Sequence, residues 1–334
     1  MRLHLAGAVS MLKRFFATAS LLVSIAGFSH ADTLPDYQRS SGISGNLSSV
    51  GSDTLANMMA AWTDGFKRLH PGVNIQLQTP GSASAAPALV EGTAQLGPMS
   101  RPMRVSEENA FQARFGYPPT AVPVAVDAMA VYVHQDNPLR TISFQQLDAV
   151  FSRTLWCGAS KPVTTWGQLG LSGRWAQRDL QLFGRNSVSG TYGYFKQAAL
   201  CRGDFRADVN EQPGSASVVQ SVASSLNAIG YAGIGHQASG ARMLALSHQG
   251  KEAIKPTPSA IRTGEYPLTR YLYLYINRAP NQPLAPLESA FMRYILSAQG
   301  QKAVSQQGYI PLPAQAVRAQ RQALGLDGSL KDSR

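Results

Sequence analysis

The residues with the clearest chemical purpose are Arg185 and the Ser189-Gly190-Thr191 triplet that begins four positions later. A guanidinium makes planar, charge-assisted contacts to an oxyanion and keeps its charge at any physiological pH. A helix that opens at Ser189-Gly190-Thr191 adds unpaired backbone N–H groups and about half a positive charge at its N-terminus. Three further segments, 51–54, 81–84 and 214–217, have the same Ser/Thr/Gly character where a helix is expected to begin. Each alone is an ordinary capping sequence. Four in one chain, with an arginine, describe a site that surrounds a small anion with donors. Ser100-Arg101-Pro102, at a turn after a short strand, pairs a hydroxyl with a second arginine, and here a structural role for Arg101 is as good a reading as a binding one.

The groupings that hydrolysis needs are missing from the sequence. There is no Gly-x-Ser-x-Gly elbow, no Walker loop and no His-Glu-x-x-His, and the six histidines are dispersed. No nucleophile therefore has an evident base or metal beside it. No catalytic residue, cofactor or metal is expected. Cys157 and Cys201, the two cysteines, lie far apart with no neighbouring histidine, a poor zinc site. In an exported chain they suit a disulfide contributing about 4 kcal/mol, the alternative being two buried thiols.

An α/β fold presents such turns at the C-terminal edge of its sheet. Leu55, Met58, Met59, Trp62, Phe66 and Leu69 repeat at helical spacing, and Pro71-Gly72 ends that helix. Val73, Ile75 and Leu77 alternate as in a strand. Pro80-Gly81-Ser82-Ala83-Ser84 opens a second helix to about Glu91, and 94–97 is a brief strand. The same pentapeptide recurs at 213–217, again where a strand gives way to a helix, which points to two lobes of like architecture. Apolar strands at 121–134, interrupted by Pro123 and Asp127, and at 268–277 are expected to cross between the lobes and form a hinge. A helix behind Ser143, one helical stretch over 287–306 and a solvated helix from Ala314 complete the pattern, with the tyrosines of 271–275 in the sheet core.

Lys13-Arg14, the apolar run 15–27 and Ser29-His30-Ala31 have the form of a signal peptide, whether translation starts at Met1 or Met11. The run is too short to span a membrane. The expected division is a signal peptide over 1–31, a flexible lead-in over 32–46, a first lobe of 47–125 plus 266–334, and a second lobe of 126–265. The formal charge of +11 includes three basic residues that leave with the signal peptide. The remaining surface is still basic and steers anions inward. Its basic residues are not clustered with aromatics, so no nucleic-acid partner is expected.

Taken in order, Gly51-Ser52-Asp53-Thr54-Leu55, Gly81-Ser82, Ser100-Arg101-Pro102, Arg185-x-x-x-Ser189-Gly190-Thr191, Ala228-Ile229-Gly230-Tyr231 and Gly308-Tyr309-Ile310-Pro311-Leu312 resemble the phosphate-binding proteins of bacterial phosphate ABC transporters. The resemblance covers nearly the whole mature chain. It implies a type II periplasmic binding fold and a periplasmic or secreted, monomeric receptor that hands inorganic phosphate to a membrane permease. The positions it implies for phosphate are Thr54, the backbone of Leu55, Ser82, Ser100, Arg185, Ser189, Gly190 and Thr191. Another tetrahedral oxyanion (sulfate, molybdate or arsenate), an exported phosphatase, or an adhesion or signalling protein are the alternatives. Two positions depart from the family. Ser100 stands where members carry an aspartate that accepts the phosphate proton; its hydroxyl can accept as well as donate, and Asp53 is a substitute acceptor only if its side chain turns inward. Ser187 stands where some members brace the arginine with an aspartate, so Arg185 is expected to be less rigidly held.

Overall fold

The computed structural model describes residues 33–327, and the signal peptide expected over 1–31 lies outside them. The first lobe is built on three parallel strands, β1 (Gly45–Val50), β2 (Val73–Gln78) and β3 (Leu96–Met99), in the order β2-β1-β3. Helices α1 (Ala56–Leu69) and α2 (Ala85–Val90) join them, and α3 (Val105–Phe115) follows. The chain then leaves by β4 (Thr120–His134) and β5 (Thr141–Ser143) to α4 (Phe144–Phe151).

The second lobe repeats the plan. Strands β6 (Gln181–Arg185), β7 (Asn210–Gln212) and β8 (Ala228–Gly233) are parallel in the order β7-β6-β8, joined by α5 (Gly190–Ala199) and α6 (Ser215–Ser224). Short strands β9 (Ala241–Met243) and β10 (Ala245–Ser247) and helix α7 (Pro258–Arg262) lead to the return strand β11 (Thr269–Ile276). Helices α8 (Pro286–Ile295), α9 (Ala298–Gln306) and α10 (Ala314–Ala323) finish the chain.

Strand β4 belongs to both lobes. Its residues 120–128 pair antiparallel with β11, and 129–133 pair antiparallel with β8. Asp127 and Arg270 face each other in register at the crossing. The two larger of the three apolar clusters among the described residues lie on either side of it. Leu47, Met58, Trp62, Phe66, Leu272 and Phe291 belong to the first, and Val131, Trp166, Leu182, Phe195, Val219 and Tyr231 to the second. Fully burying one such side chain contributes roughly 1.5–3 kcal/mol. Cys157 and Cys201 form a disulfide with Cα atoms 5.2 Å apart, tying the loop after α4 to the end of α5.

The periodic segments fold as their patterns direct. Ser143 Oγ accepts from the Gln146 N–H at 3.0 Å and caps α4. The expected single helix over 287–306 is instead two, because Ser297 Oγ caps α9 by accepting from the Gly300 N–H at 3.2 Å. A serine bonded to the local backbone competes with helix continuation. Helix α3 was unmarked by periodicity and buries only Phe111. The tail is less solvated than expected: Val317, Leu324 and Leu326 are buried in the first core. In the lead-in, the Tyr37 ring packs edge-on to Phe66 and Tyr294, and its hydroxyl lies 2.7 Å from His70 Nε2.

Candidate functional site

All four donor-rich segments stand at C-terminal ends of parallel strands, as open α/β sheets require of their ligand-binding turns. From the first lobe, β1 runs into the turn Asp53–Leu55, which carries Thr54, and β2 runs into the turn Ser82–Ser84. The end of β3 brings Ser100 beside them: its N–H donates to Ser82 Oγ at 3.0 Å, and the two hydroxyls are 3.3 Å apart. Thr54, Ser82 and Ser100 are fully buried. The Leu55 N–H makes a long, 3.3 Å bond to Ser52 O within its turn.

From the second lobe, α5 points its N-terminus at the same place. Ser189 Oγ caps it by accepting from the Thr191 N–H at 3.1 Å and the Tyr192 N–H at 3.4 Å. Thr191 Oγ1 lies 3.1 Å from Thr54 Oγ1, and the Ala83 N–H donates to Val188 O at 3.0 Å, so the lobes meet here directly. Gly190 sits against Ser82 Oγ and Ser100 Oγ so closely that a Cβ would overlap both. The positions named from the sequence, Thr54, Leu55, Ser82, Ser100, Arg185, Ser189, Gly190 and Thr191, therefore come together at the junction of the lobes.

Arg185 is completely buried. Its Nε donates to Gln212 O at 3.3 Å, Nη1 to Ser215 Oγ at 2.8 Å, Nη2 to Pro213 O at 2.9 Å, and Nη2 also lies 2.6 Å from Asp53 Oδ1. The expectation of a loosely held arginine is overturned. With serine at 187, the bracing carboxylate comes from Asp53 of the facing lobe. Asp53 Oδ2 also accepts from the Ser215 N–H at 3.0 Å, at the N-terminus of α6. The anion that this fourth donor-rich helix start attracts is thus a carboxylate of the protein itself. Both oxygens of Asp53 are engaged by the second lobe, Oδ1 by Arg185 and Oδ2 by the Ser215 N–H.

Arg101 takes the structural role. It makes a two-pronged ion pair with Glu107 at 2.7 and 2.6 Å, and Glu107 also accepts from the Arg104 N–H at 2.7 Å, closing the start of α3. Burial alone would raise the Glu107 carboxyl, but these donors outweigh it and hold it below the usual range.

Two residues of this junction were not singled out as ligands. Asp127 on β4 and Arg270 on β11 form a buried ion pair in which Arg270 Nε and Nη2 both reach Asp127 Oδ2, at 2.9 and 2.7 Å. Arg270 Nη2 also donates to Thr191 Oγ1 at 2.9 Å, tying both crossing strands to a hydroxyl of the site. The sequence carries a signal for Asp127, a lone aspartate that interrupts an apolar strand. Burial pushes the Asp127 carboxyl up, against the pull of Arg270. It pushes the imidazole of nearby His236 down. Beside the junction a groove of about 570 Å³ is lined by Arg101, Arg104, Lys196 and Arg202 together with Met103, Val105 and Tyr192.

Residues 38–299 match the family model of the PBP superfamily domain. The chain is 55% identical, over 94% of its own length and 99% of the relative's, to the phosphate-binding protein PstS of Pseudomonas aeruginosa. Among solved structures, a substrate-binding protein with bound phosphate from Clostridium perfringens aligns with TM-score 0.67 and 23% identity, over 80% of this chain and all of the other. An ABC-type phosphate transport receptor from Vibrio cholerae aligns with TM-score 0.61 and 21% identity, over 80% and 100% of the two chains. Repeated lobes, crossing strands and the extent of the match lead to one conclusion: this chain belongs to the PBP superfamily, in the family of the phosphate-binding protein PstS.

Proposed function

We propose that this protein is an exported receptor that encloses inorganic phosphate between its lobes and delivers it to the membrane permease of an ABC transporter, without catalysing a reaction. The observation that carries this reading is the convergence, from both lobes, of Thr54, Ser82, Ser100 and the capped start of α5 beside the buried Arg185. Such a cage holds a tetrahedral anion by hydrogen bonds alone. Thr54, the Leu55 N–H, Ser82, Ser100, Ser189, Gly190 and Thr191 are the assigned donors, with Arg185 as counter-charge. The name of the Pseudomonas aeruginosa relative supports phosphate as the ligand. Export fits the form of residues 1–31 and the disulfide. Among the described residues no helix is long and apolar enough to cross a membrane. The lobes divide at the crossing strands, 47–125 with 266–334 against 126–265.

Calorimetric titration of the ligand-stripped mature chain with phosphate, then with sulfate, tests the reading. The expected result is micromolar or tighter phosphate binding and much weaker sulfate binding. No binding of phosphate would overturn it, and preference for sulfate would move the site to another oxyanion.

A further inference from the structure

The Asp127–Arg270 pair is arranged unlike an ordinary bidentate bridge. Both nitrogens that reach the carboxylate, Nε and Nη2, converge on Oδ2. That leaves Asp127 Oδ1 and Arg270 Nη1 buried without a hydrogen-bond partner among the described residues; the backbone N–H near the carboxylate, that of Ile234, donates to Ala128 O at 2.9 Å. A spare acceptor and a spare donor, both desolvated, are costly unless something completes them. They lie at the site: Arg270 Nη2 is 2.9 Å from Thr191 Oγ1, which is 3.1 Å from Thr54 Oγ1. A Cβ built on Gly233 would stand 3.0 and 3.2 Å from the two Asp127 oxygens and 3.4 Å from Thr54 Cγ2, so the carboxylate shares that edge with Thr54. His236, Tyr132, Tyr194, Tyr266 and Tyr309 are further ionisable groups near the carboxylate.

A spare acceptor and a spare donor on one buried ion pair match an oxyanion that still bears a proton. Its P–OH donates and its P–O⁻ accepts, whereas sulfate near neutral pH offers acceptors alone. We infer that Asp127 and Arg270 are specificity residues of the anion site, Asp127 Oδ1 accepting the proton of hydrogen phosphate and Arg270 Nη1 donating to a neighbouring phosphate oxygen. The carboxylate missing at Ser100 is then supplied by the crossing strand. This rests on the phosphate-receptor reading.

The test compares phosphate and sulfate affinities of the wild type, Asp127→Asn, Asp127→Asn/Arg270→Gln and Asp127→Asn/Ser100→Asp. Asparagine turns the spare oxygen into an N–H donor, so the phosphate-to-sulfate affinity ratio is expected to fall at least tenfold in Asp127→Asn. Adding Ser100→Asp should restore it. The double neutral variant removes the buried charges together and serves if the single variant does not fold. A ratio within twofold of wild type in the folded variant would overturn the inference and leave the receptor reading intact. Failure of the wild type to bind phosphate would overturn both. Carboxyl ¹³C NMR of the wild type is independent of any variant. The Asp127 signal should move on saturation with phosphate and much less with sulfate, and an equal response to the two ions would also overturn the assignment.

Discussion

At the residue scale, the site is defined by how little room it leaves. Gly190 lets the start of α5 touch the Ser82 and Ser100 hydroxyls, and alanine there would drive a methyl group into both. Gly190→Ala should weaken phosphate binding by a hundredfold or more, about 3 kcal/mol, while the thermal midpoint of the ligand-free protein changes little. Titration and calorimetric scanning on the same sample separate the two effects. Arg185 shows the reverse dependence. Its guanidinium also holds Gln212, Pro213, Ser215 and Asp53. Arg185→Ala removes a counter-charge and strands the Asp53 carboxylate, and cutting one partner from a buried pair costs about 3–5 kcal/mol. Both phosphate affinity and stability should fall, and denaturant unfolding with and without phosphate measures each. A variant of wild-type stability would contradict the burial and bonding found for this side chain.

At the element scale, helix starts and caps decide what each turn can bind. The start of α5 faces the cleft with Ser189 as its cap, whereas the start of α6 is taken by Asp53. The start of α3 is closed by Glu107, whose pKa is depressed by Arg101 and the Arg104 N–H against the opposing effect of burial. A carboxylate with a lowered folded-state pKa adds stability that is complete above its unfolded value, near 4.3, and is lost as pH falls through the lower folded value. Glu107→Gln keeps an acceptor for the Arg104 N–H but removes the charge that Arg101 meets, and should therefore lower stability at pH 7 by about 1 kcal/mol. The gap between wild type and variant should narrow in acid, which urea unfolding at pH 7 and at pH 3 would register. A constant gap at both pH values would show that the carboxylate charge has no part in it.

At the scale of the whole molecule, the two lobes have one strand plan and are threaded by β4 and β11, so motion between them is confined to the crossing. Polar contacts join the lobes at this junction, among them Asp53 with Arg185 and Ser215, Ala83 with Val188, Thr54 with Thr191 and Arg270 with Thr191. Hinge closure of this kind is governed by what the enclosed ligand adds. The Cys157–Cys201 bridge acts within the second lobe, away from the crossing. Reducing it, or replacing both cysteines with serine, should lower stability by about 2–4 kcal/mol and leave phosphate affinity within a few-fold of wild type. Scanning calorimetry and titration would show the separation, and a large loss of affinity alone would place the bridge in the closure mechanism instead.

What the sequence determined by itself follows from local rules. Helical spacing from Leu55 to Phe66, the Ser143 cap, the paired Pro-Gly-Ser-Ala-Ser segments and the donors before α5 are each legible because propensity, periodicity and capping act over a few residues. The broken helix at Ser297 and the start of α3 were hidden, since one serine's hydrogen bond and a single buried Phe111 leave no periodic trace. Only the tertiary structure decided how the charges pair. Asp53 meets Arg185 across the cleft, and Asp127 meets Arg270 across two strands separated by more than a hundred residues. Partnerships of that reach depend on strand register and lobe packing, which no local pattern encodes. A lone aspartate in an apolar strand can mark that a partner must exist, because a buried charge needs one, but the fold must supply its identity.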